Sequence, residues 1–436
     1  MKKFSLNILS NKLNILKFLF YIFPAVMLTS SGYITTYTSI LTIYILYYFF
    51  YHKIKINLSI LDFLIILFFL LSITSTLLNI NTTSSFMLFK SVLDLRFAIL
   101  FFVIRNLIDQ KIVNIKIFCI ISLICTILVS SDIFLQVIYG KNLLGYPEID
   151  GRYGSVFGKE AIAGSYIQKF SLLSILSVFL LTIEDKNKFY LTIVVVNFLS
   201  LGILMSLDRM PYIIYILSII ILLILLKQYR LRFVLSLILI CSIFIFFFNN
   251  YSKVKNKYLS LTKEIEYSKI QKFLSSEVEK ADNISENKIK INNNLSSDYL
   301  KIYNTAYKIF LNNIFIGSGV KSYHSECLKL LIKDEKNILC STHPHNIYLE
   351  ILVNEGILGI LIFFSFILIL LKRNYLDELL TKTTTEKRLQ TIFFLTILIS
   401  ELIPFRSYGS IYQTVNGTIF WFILALASSK ISIKKF

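Results

Sequence analysis

Apolar positions in this chain come in long runs, most of them closed by a short polar connection. Twelve runs stand out: Leu13–Leu28, Tyr33–Phe50, Leu58–Leu78, Val92–Ile108, Ile117–Ile138, Ala161–Ile183, Tyr190–Leu207, Pro211–Leu226, Phe233–Phe248, Ile347–Leu371, Thr391–Ile403 and Tyr412–Ser428. A helix needs about 20 mostly apolar residues to cross a bilayer, and most of these runs approach or reach that length. The eleventh is short and must borrow flanking residues. The period-two alternation of a membrane barrel is missing. The pattern predicts an all-α polytopic membrane helical bundle of about 12 transmembrane helices. The first run follows Lys2, Lys3 and Lys12, as a secretory leader would. The residues after it, Thr29, Ser30, Ser31 and Gly32, make no convincing small-x-small cleavage site, so it is expected to be a retained span.

Charge orients the runs. Only 16% of the 436 residues are charged, against about a quarter in soluble domains, and mean hydropathy is +0.69. The net charge of +19 is gathered in alternate connections: Lys53 and Lys55; Arg105, Lys111 and Lys116; Lys186 and Lys188; Lys227, Arg230 and Arg232. It continues in Lys372, Arg373, Lys382, Lys387 and Arg388, and in the tail Lys430, Lys434 and Lys435. Short loops rich in Lys and Arg stay in the cytoplasm, which predicts cytoplasmic termini. With the cations so distributed and no folded basic domain, a nucleic-acid partner is not expected. The chain divides into a nine-span membrane region (1–248), a large periplasmic loop (249–346) and a three-span region (347–436).

Long translocated segments escape the charge rule, so the lysines of this loop do not conflict with it. Lys263 to Ser297 reads as a solvated amphipathic helix or mobile loop. From Asp298 the sequence "SDYLKIYNTAYKIFLNNIFIGSGVKSYH" puts Tyr299, Ile302, Tyr303, Ala306 and Ile309 at helical spacing, then stops at Gly317 and Gly319. That part is predicted to be an ordered cap.

Four cations break the orientation rule by lying in short outer connections: Arg152, Lys159, Arg209 and Arg406. Arg209, in "MSLDRMPYIIY", needs a partner between two apolar spans, and Asp208 or a bound anion would serve. Arg152 sits among four glycines in "EIDGRYGSVFGKEAIAGSY", where a backbone can approach a ligand closely. Arg406 follows Pro404. Guanidinium forks converging on one face suit a di-anion such as a pyrophosphate, and Lys159 adds a point charge. Asp94 and Arg96 read as an ion pair within the bundle. Cys119, Cys125 and Cys241 read as small core residues.

Two of the four histidines, His343 and His345, stand in "CSTHPHNIYLEILVNEGILG", where the long loop enters the tenth span; His52 reads as a surface residue. His324, Cys327 and Cys340 lack zinc spacing, so no metal is expected. His345-Asn346, nine further residues and Gly356-Ile357-Leu358-Gly359 resemble the signature of the O-antigen ligase and polymerase superfamily of bacterial inner-membrane glycosyltransferases: His then Asn, Ser or Gln, nine residues, then Gly-x-x-Gly. Less specific agreement comes from "GRYGSVFGKEAIAGSY", "SLDRMPY", "IFIGSGVKSY" and "PFRSYGSIYQTVNGTIFW". Asp208 departs from the Ser or Gly that often precedes the matching Arg in members of this look, and so competes for Arg209.

The resemblance implies a C-type glycosyltransferase that moves an undecaprenyl-diphosphate-linked glycan to an acceptor hydroxyl on the periplasmic face, by an inverting displacement without cofactor or metal. His345 is then the candidate base, with His343 assisting. Arg152, Arg209, Arg406 and Lys159 bind the diphosphate, and Asn346, Gly356 and Gly359 support the site. Tyr323 and Tyr348 are candidates to stack on sugars. Cys327 and Cys340, on the oxidising side, are expected to form a disulfide closing a loop of about a dozen residues, worth about 3 kcal/mol in chain entropy. The leading function is O-antigen ligation to the lipid A core of lipopolysaccharide, and the alternative is polymerisation of lipid-linked repeat units. Transfer to protein and transport of the lipid-linked glycan are remoter, the latter because few ionisable groups are seen within the spans.

Overall fold

A computed structural model describes residues 13–52, 56–80, 85–160, 162–182, 189–259, 296–332, 338–376 and 384–429. Lys53, Lys55, Lys186, Lys188, Lys382, the three tail lysines and the loop from Lys263 as far as 295 lie outside the described residues. All regular structure among the described residues is helical, apart from isolated β-bridges at Lys141–Pro147 and Ile149–Arg152.

After helical turns at 13–21 and Phe23–Val26, the helices are α1 (Ser31–Tyr51), α2 (Ile60–Leu78), α3 (Ser85–Leu93), α4 (Leu95–Asp109), α5 (Ile115–Tyr139), α6 (Ala163–Thr182) and α7 (Phe189–Met205). There follow α8 (Arg209–Leu225), α9 (Arg230–Asn250), α10 (Ser296–Asn312), α11 (Tyr323–Ile332), α12 (Ile347–Leu370), α13 (Thr385–Glu401) and α14 (Thr414–Ser428). Among the described residues, five helical stretches are long and apolar enough to cross a membrane: Ile60–Leu78, Ile115–Tyr139, Ala163–Thr182, Lys227–Asn250 and Ile347–Leu376. Shorter apolar helices are Phe189–Met205, Arg209–Leu225 and Thr414–Ser428. The predicted run Val92–Ile108 is divided between α3 and α4, with Asp94 at the break.

Helix α6 is buried along nearly its whole length and packs on α5, α7, α8 and α13, while α14, with Trp421 fully buried, packs on α4, α1 and α13. These two helices form the centre of the bundle. A buried ionic knot closes the end of α4 far from Asp94. Arg105 donates to Asp62 through Nε (2.9 Å) and Nη2 (2.5 Å), and to Asp109 through Nη1 (2.5 Å). Arg105 is therefore a buried structural ion rather than a free loop charge, with its fork filled by carboxylates as guanidinium geometry favours.

The cap is α10 and α11, joined around Ile302, Ala306, Ile309, Tyr323, Cys327, Leu330 and Val353. A disulfide links Cys327 to Cys340 across a Cα–Cα distance of 5.6 Å. Helix α12 breaks at Gly356, where φ is +67°. The chain from Ile314 to Gly319 fills the break: Ile357 N–H donates to Ile314 O (2.8 Å), Leu358 N–H to Phe315 O (3.2 Å), Ser318 N–H to Val353 O (2.8 Å) and Gly319 N–H to Asn354 O (3.0 Å). Backbone groups freed by a helix break must be satisfied elsewhere, and here a second segment supplies the partners. The contact requires glycine on both sides. A Cβ on Gly356 would sit 2.5 Å from the Phe315 carbonyl, and one on Gly317 would run into the backbone of Asn354.

Candidate active site

The loop after α5 is shaped by buried polar side chains. Asp132 accepts from Leu143 N–H (2.9 Å) and the Ser155 hydroxyl (2.5 Å), and Gln136 Oε1 accepts from Ser155 N–H (2.9 Å). Tyr153 N–H donates to Ser206 O at 3.2 Å, which brings Arg152 beside the start of α8. There Asp208 faces the Arg152 guanidinium at 3.7 Å. The sequence offered Asp208 or a bound anion as the partner of Arg209; the structure also sets a residue of the α5–α6 loop against Asp208. Burial raises the Asp208 carboxyl above the usual carboxylate range, and the Arg152 charge opposes that rise.

At the start of α12, Asn346 is the N-cap, its side-chain oxygen accepting from Tyr348 N–H (3.0 Å) and Leu349 N–H (3.2 Å). The same amide donates to Pro404 O at 2.6 Å, and His345 O accepts from Tyr408 N–H at 2.9 Å. The segment after α13 is thereby tied to the histidine turn. His345 holds φ at +56°, a left-handed conformation uncommon outside glycine and worth attention where it occurs.

A cavity of about 540 Å³ opens between these parts, and its lining includes Arg152, Arg209, Arg406 and His345. Four of the residues singled out in the sequence thus share one space, although they come from connections far apart in the chain. Lys159 has its side chain outside the described residues. His343 does not line the cavity: its Nδ1 is 2.9 Å from the Thr342 hydroxyl and its Nε2 is 3.2 Å from Tyr408 O. A carbonyl can only accept, so Nε2 carries the proton and Nδ1 receives the Thr342 hydroxyl hydrogen. Burial, then the neighbouring His345, bring the His343 pKa down to about 4. Its ring centroid is 4.1 Å from that of His345. Burial also lowers the His345 pKa, so both rings are neutral at neutral pH.

Gly356 and Gly359 lie outside the cavity lining and shape α12 instead, Gly359 leaving room for the stem of Glu355. Tyr323 and Tyr348 do not line the cavity; Tyr323 OH bonds to Ile302 O and Leu339 O, and Tyr348 OH to Leu402 O. The rings that line the cavity from the cap are Tyr299 and Tyr303.

Arg406 is buried and heavily committed. Nη1 lies 3.0 Å from Glu401 Oε1 and donates to Ser400 O (3.1 Å), and Nη2 donates to Gln168 Oε1 (2.9 Å). Beside it Lys169, equally buried, lines the cavity and donates to Tyr408 OH at 3.1 Å, and Tyr408 OH donates to Glu401 Oε2 at 2.6 Å. Sequence reasoning did not single out Lys169, Glu401 or Tyr408. The signal was present, since a lysine within an apolar run is costly unless it serves a purpose.

Among the described residues, the cavity accordingly offers four cationic side chains, one carboxylate and one neutral imidazole. That set can hold a multivalent anion next to a group able to accept a proton. Residues 193–364, from α7 through the cap to the Gly356–Gly359 segment, match the family model described as O-antigen ligase. No curated protein matches the chain.

Proposed function

We propose, from the premise that this chain is a member of the O-antigen ligase superfamily, that it transfers a glycan from undecaprenyl diphosphate to the lipid A core of lipopolysaccharide. The family match supports a ligase- or polymerase-type activity in the inner membrane. The observation that carries it is the shared cavity of His345, Arg152, Arg209 and Arg406.

The acceptor hydroxyl gives its proton to the neutral His345 ring as its oxygen bonds to the anomeric carbon. The bond from that carbon to the diphosphate oxygen breaks on the opposite face, and undecaprenyl diphosphate leaves with the electron pair and inverts the centre. Charge builds on the leaving diphosphate, where Arg152, Arg209 and Arg406 stabilise it; Lys159 adds to them from the same loop as Arg152. His343 positions His345, with its own ring nitrogens engaged by Thr342 and Tyr408. In the membrane the chain makes twelve crossings, with both termini in the cytoplasm. The spans divide into nine before the periplasmic loop (249–346) and three after it, and the cavity opens to the periplasm.

Disruption of the gene tests this in cells whose surface glycan is resolved on a gel. We expect loss of every glycan-bearing band while polymer accumulates on lipid carrier, and a chain carrying His345→Asn should fail to restore the bands. Asn suits that test because it tolerates positive φ yet cannot act as base. A core bearing a single repeat unit without the ladder would make the protein a polymerase instead.

A further inference from the structure

Cations lining the cavity provide for a diphosphate, but a glycan also needs a surface that recognises sugar. The sugar ring has polar edges and an apolar C–H face, and the flat apolar face of an aromatic ring is its natural complement. Two of the four tyrosines that line the cavity are unavailable for this. Tyr166 is buried with its hydroxyl on Pro24 O, and Tyr408 is buried in the Lys169–Glu401 chain. Tyr299 differs: it lines the cavity yet remains 45% exposed. Its ring centroid lies 6.0 Å from that of His345, edge to face, and its hydroxyl is 3.4 Å from Ser407 Oγ.

Tyr303, one turn on along α10, has its centroid 6.3 Å from that of Tyr299 and packs against the cap core. The pair therefore stands on a helix fixed from behind by Ile302, Ala306 and Ile309, in the cluster that also holds the disulfide cysteine Cys327. A rigid aromatic with two side-chain torsions loses little entropy on contact.

The geometry points to Tyr299, backed by Tyr303, as the platform on which the cap binds the apolar face of the sugar ring at the reacting centre. This rests on the transferase reading above, because that reading puts a sugar between the cations and His345. A diphosphate bound at Arg152 and Arg209 has its anomeric carbon one bond beyond the phosphate oxygen. The ring attached there, or the acceptor ring that approaches it, must then lie beside His345, which is where Tyr299 stands.

Purified full-length protein in detergent tests the platform through equilibrium binding of three probes: undecaprenyl-diphosphate-linked glycan extracted from the native cells, sugar-free undecaprenyl diphosphate, and undecaprenol. Tyr299→Leu, which keeps apolar bulk but removes the aromatic face, should weaken binding of the glycan by about tenfold, equivalent to about 1.4 kcal/mol. Tyr299→Phe should retain most of it, and sugar-free undecaprenyl diphosphate should bind both variants as it binds the wild type. In steady-state transfer by the same variants, a raised KM for the lipid-linked donor assigns the ring to the donor sugar, and a raised KM for the acceptor assigns it to the acceptor sugar. Unchanged glycan binding and unchanged KM values for Tyr299→Leu would overturn the platform, as would equal losses for the sugar-free diphosphate. If the wild type binds undecaprenol as well as undecaprenyl diphosphate, the transferase reading itself fails, and that result is separate from the behaviour of Tyr299.

Discussion

At the residue level the site turns on one imidazole. Burial lowers the pKa of His345, which disfavours the charged ring and keeps the accepting nitrogen free at neutral pH. Transfer rate at saturating substrates is therefore expected to be flat through neutral pH and to fall only on acidification below the ordinary histidine value of about 6.5. A pH–rate profile checks this; an acid limb centred above that value, or a rate that rises on acidification, would rule out a neutral His345 base. The histidines and arginines could be read from sequence because each broke a rule, whether of charge placement or of spacing. Lys169 also broke one, but a single lysine in an apolar run gives no hint that Glu401 and Arg406, more than 230 positions later, lie beside it. Tyr299 and Tyr303 were placed at helical spacing yet could not be told from 24 other tyrosines.

Among the elements, α12 explains why the Gly356–Gly359 spacing follows the histidine turn at a set distance. From the Asn346 cap the helix runs to Gly356, opens, and receives the Ile314–Gly319 chain, so its first segment has fixed ends. Glu355, just before the break, accepts from Ser72 Oγ (2.8 Å) and Tyr412 OH (2.7 Å), which ties that segment to α2 and to the turn before α14. Replacing Gly356 by Ala should cost at least about 1–3 kcal/mol through positive φ alone, with the Phe315 contact in addition. Gly32→Ala, at a helical position with nothing within 4 Å, should be neutral or slightly stabilising. Denaturant titration in detergent checks the contrast, and equal stability of the two variants would contradict the interlock. The sequence showed that both glycine motifs mattered. It carried no sign that they are two halves of one contact, because mutual exclusion of Cβ atoms appears only once the chains meet.

For the molecule as a whole, hydropathy made the helical class plain, since bilayer thickness sets run length directly. What it blurred was the divided helix at Asp94 and the true place of Arg105, because a buried ion pair and a solvated loop charge look alike in a list of residues. The assembly brings the α5–α6 loop, the start of α8, the cap, the head of α12 and the turn after α13 around one cavity. The most direct test uses purified protein supplied with lipid-linked glycan and lipid A core, with glycan transfer and release of undecaprenyl diphosphate followed together. The wild type should form one product for each undecaprenyl diphosphate released, and His345→Asn should bind the donor but transfer nothing. Transfer by His345→Asn at the wild-type rate, or transfer without stoichiometric release of the diphosphate, would contradict the account.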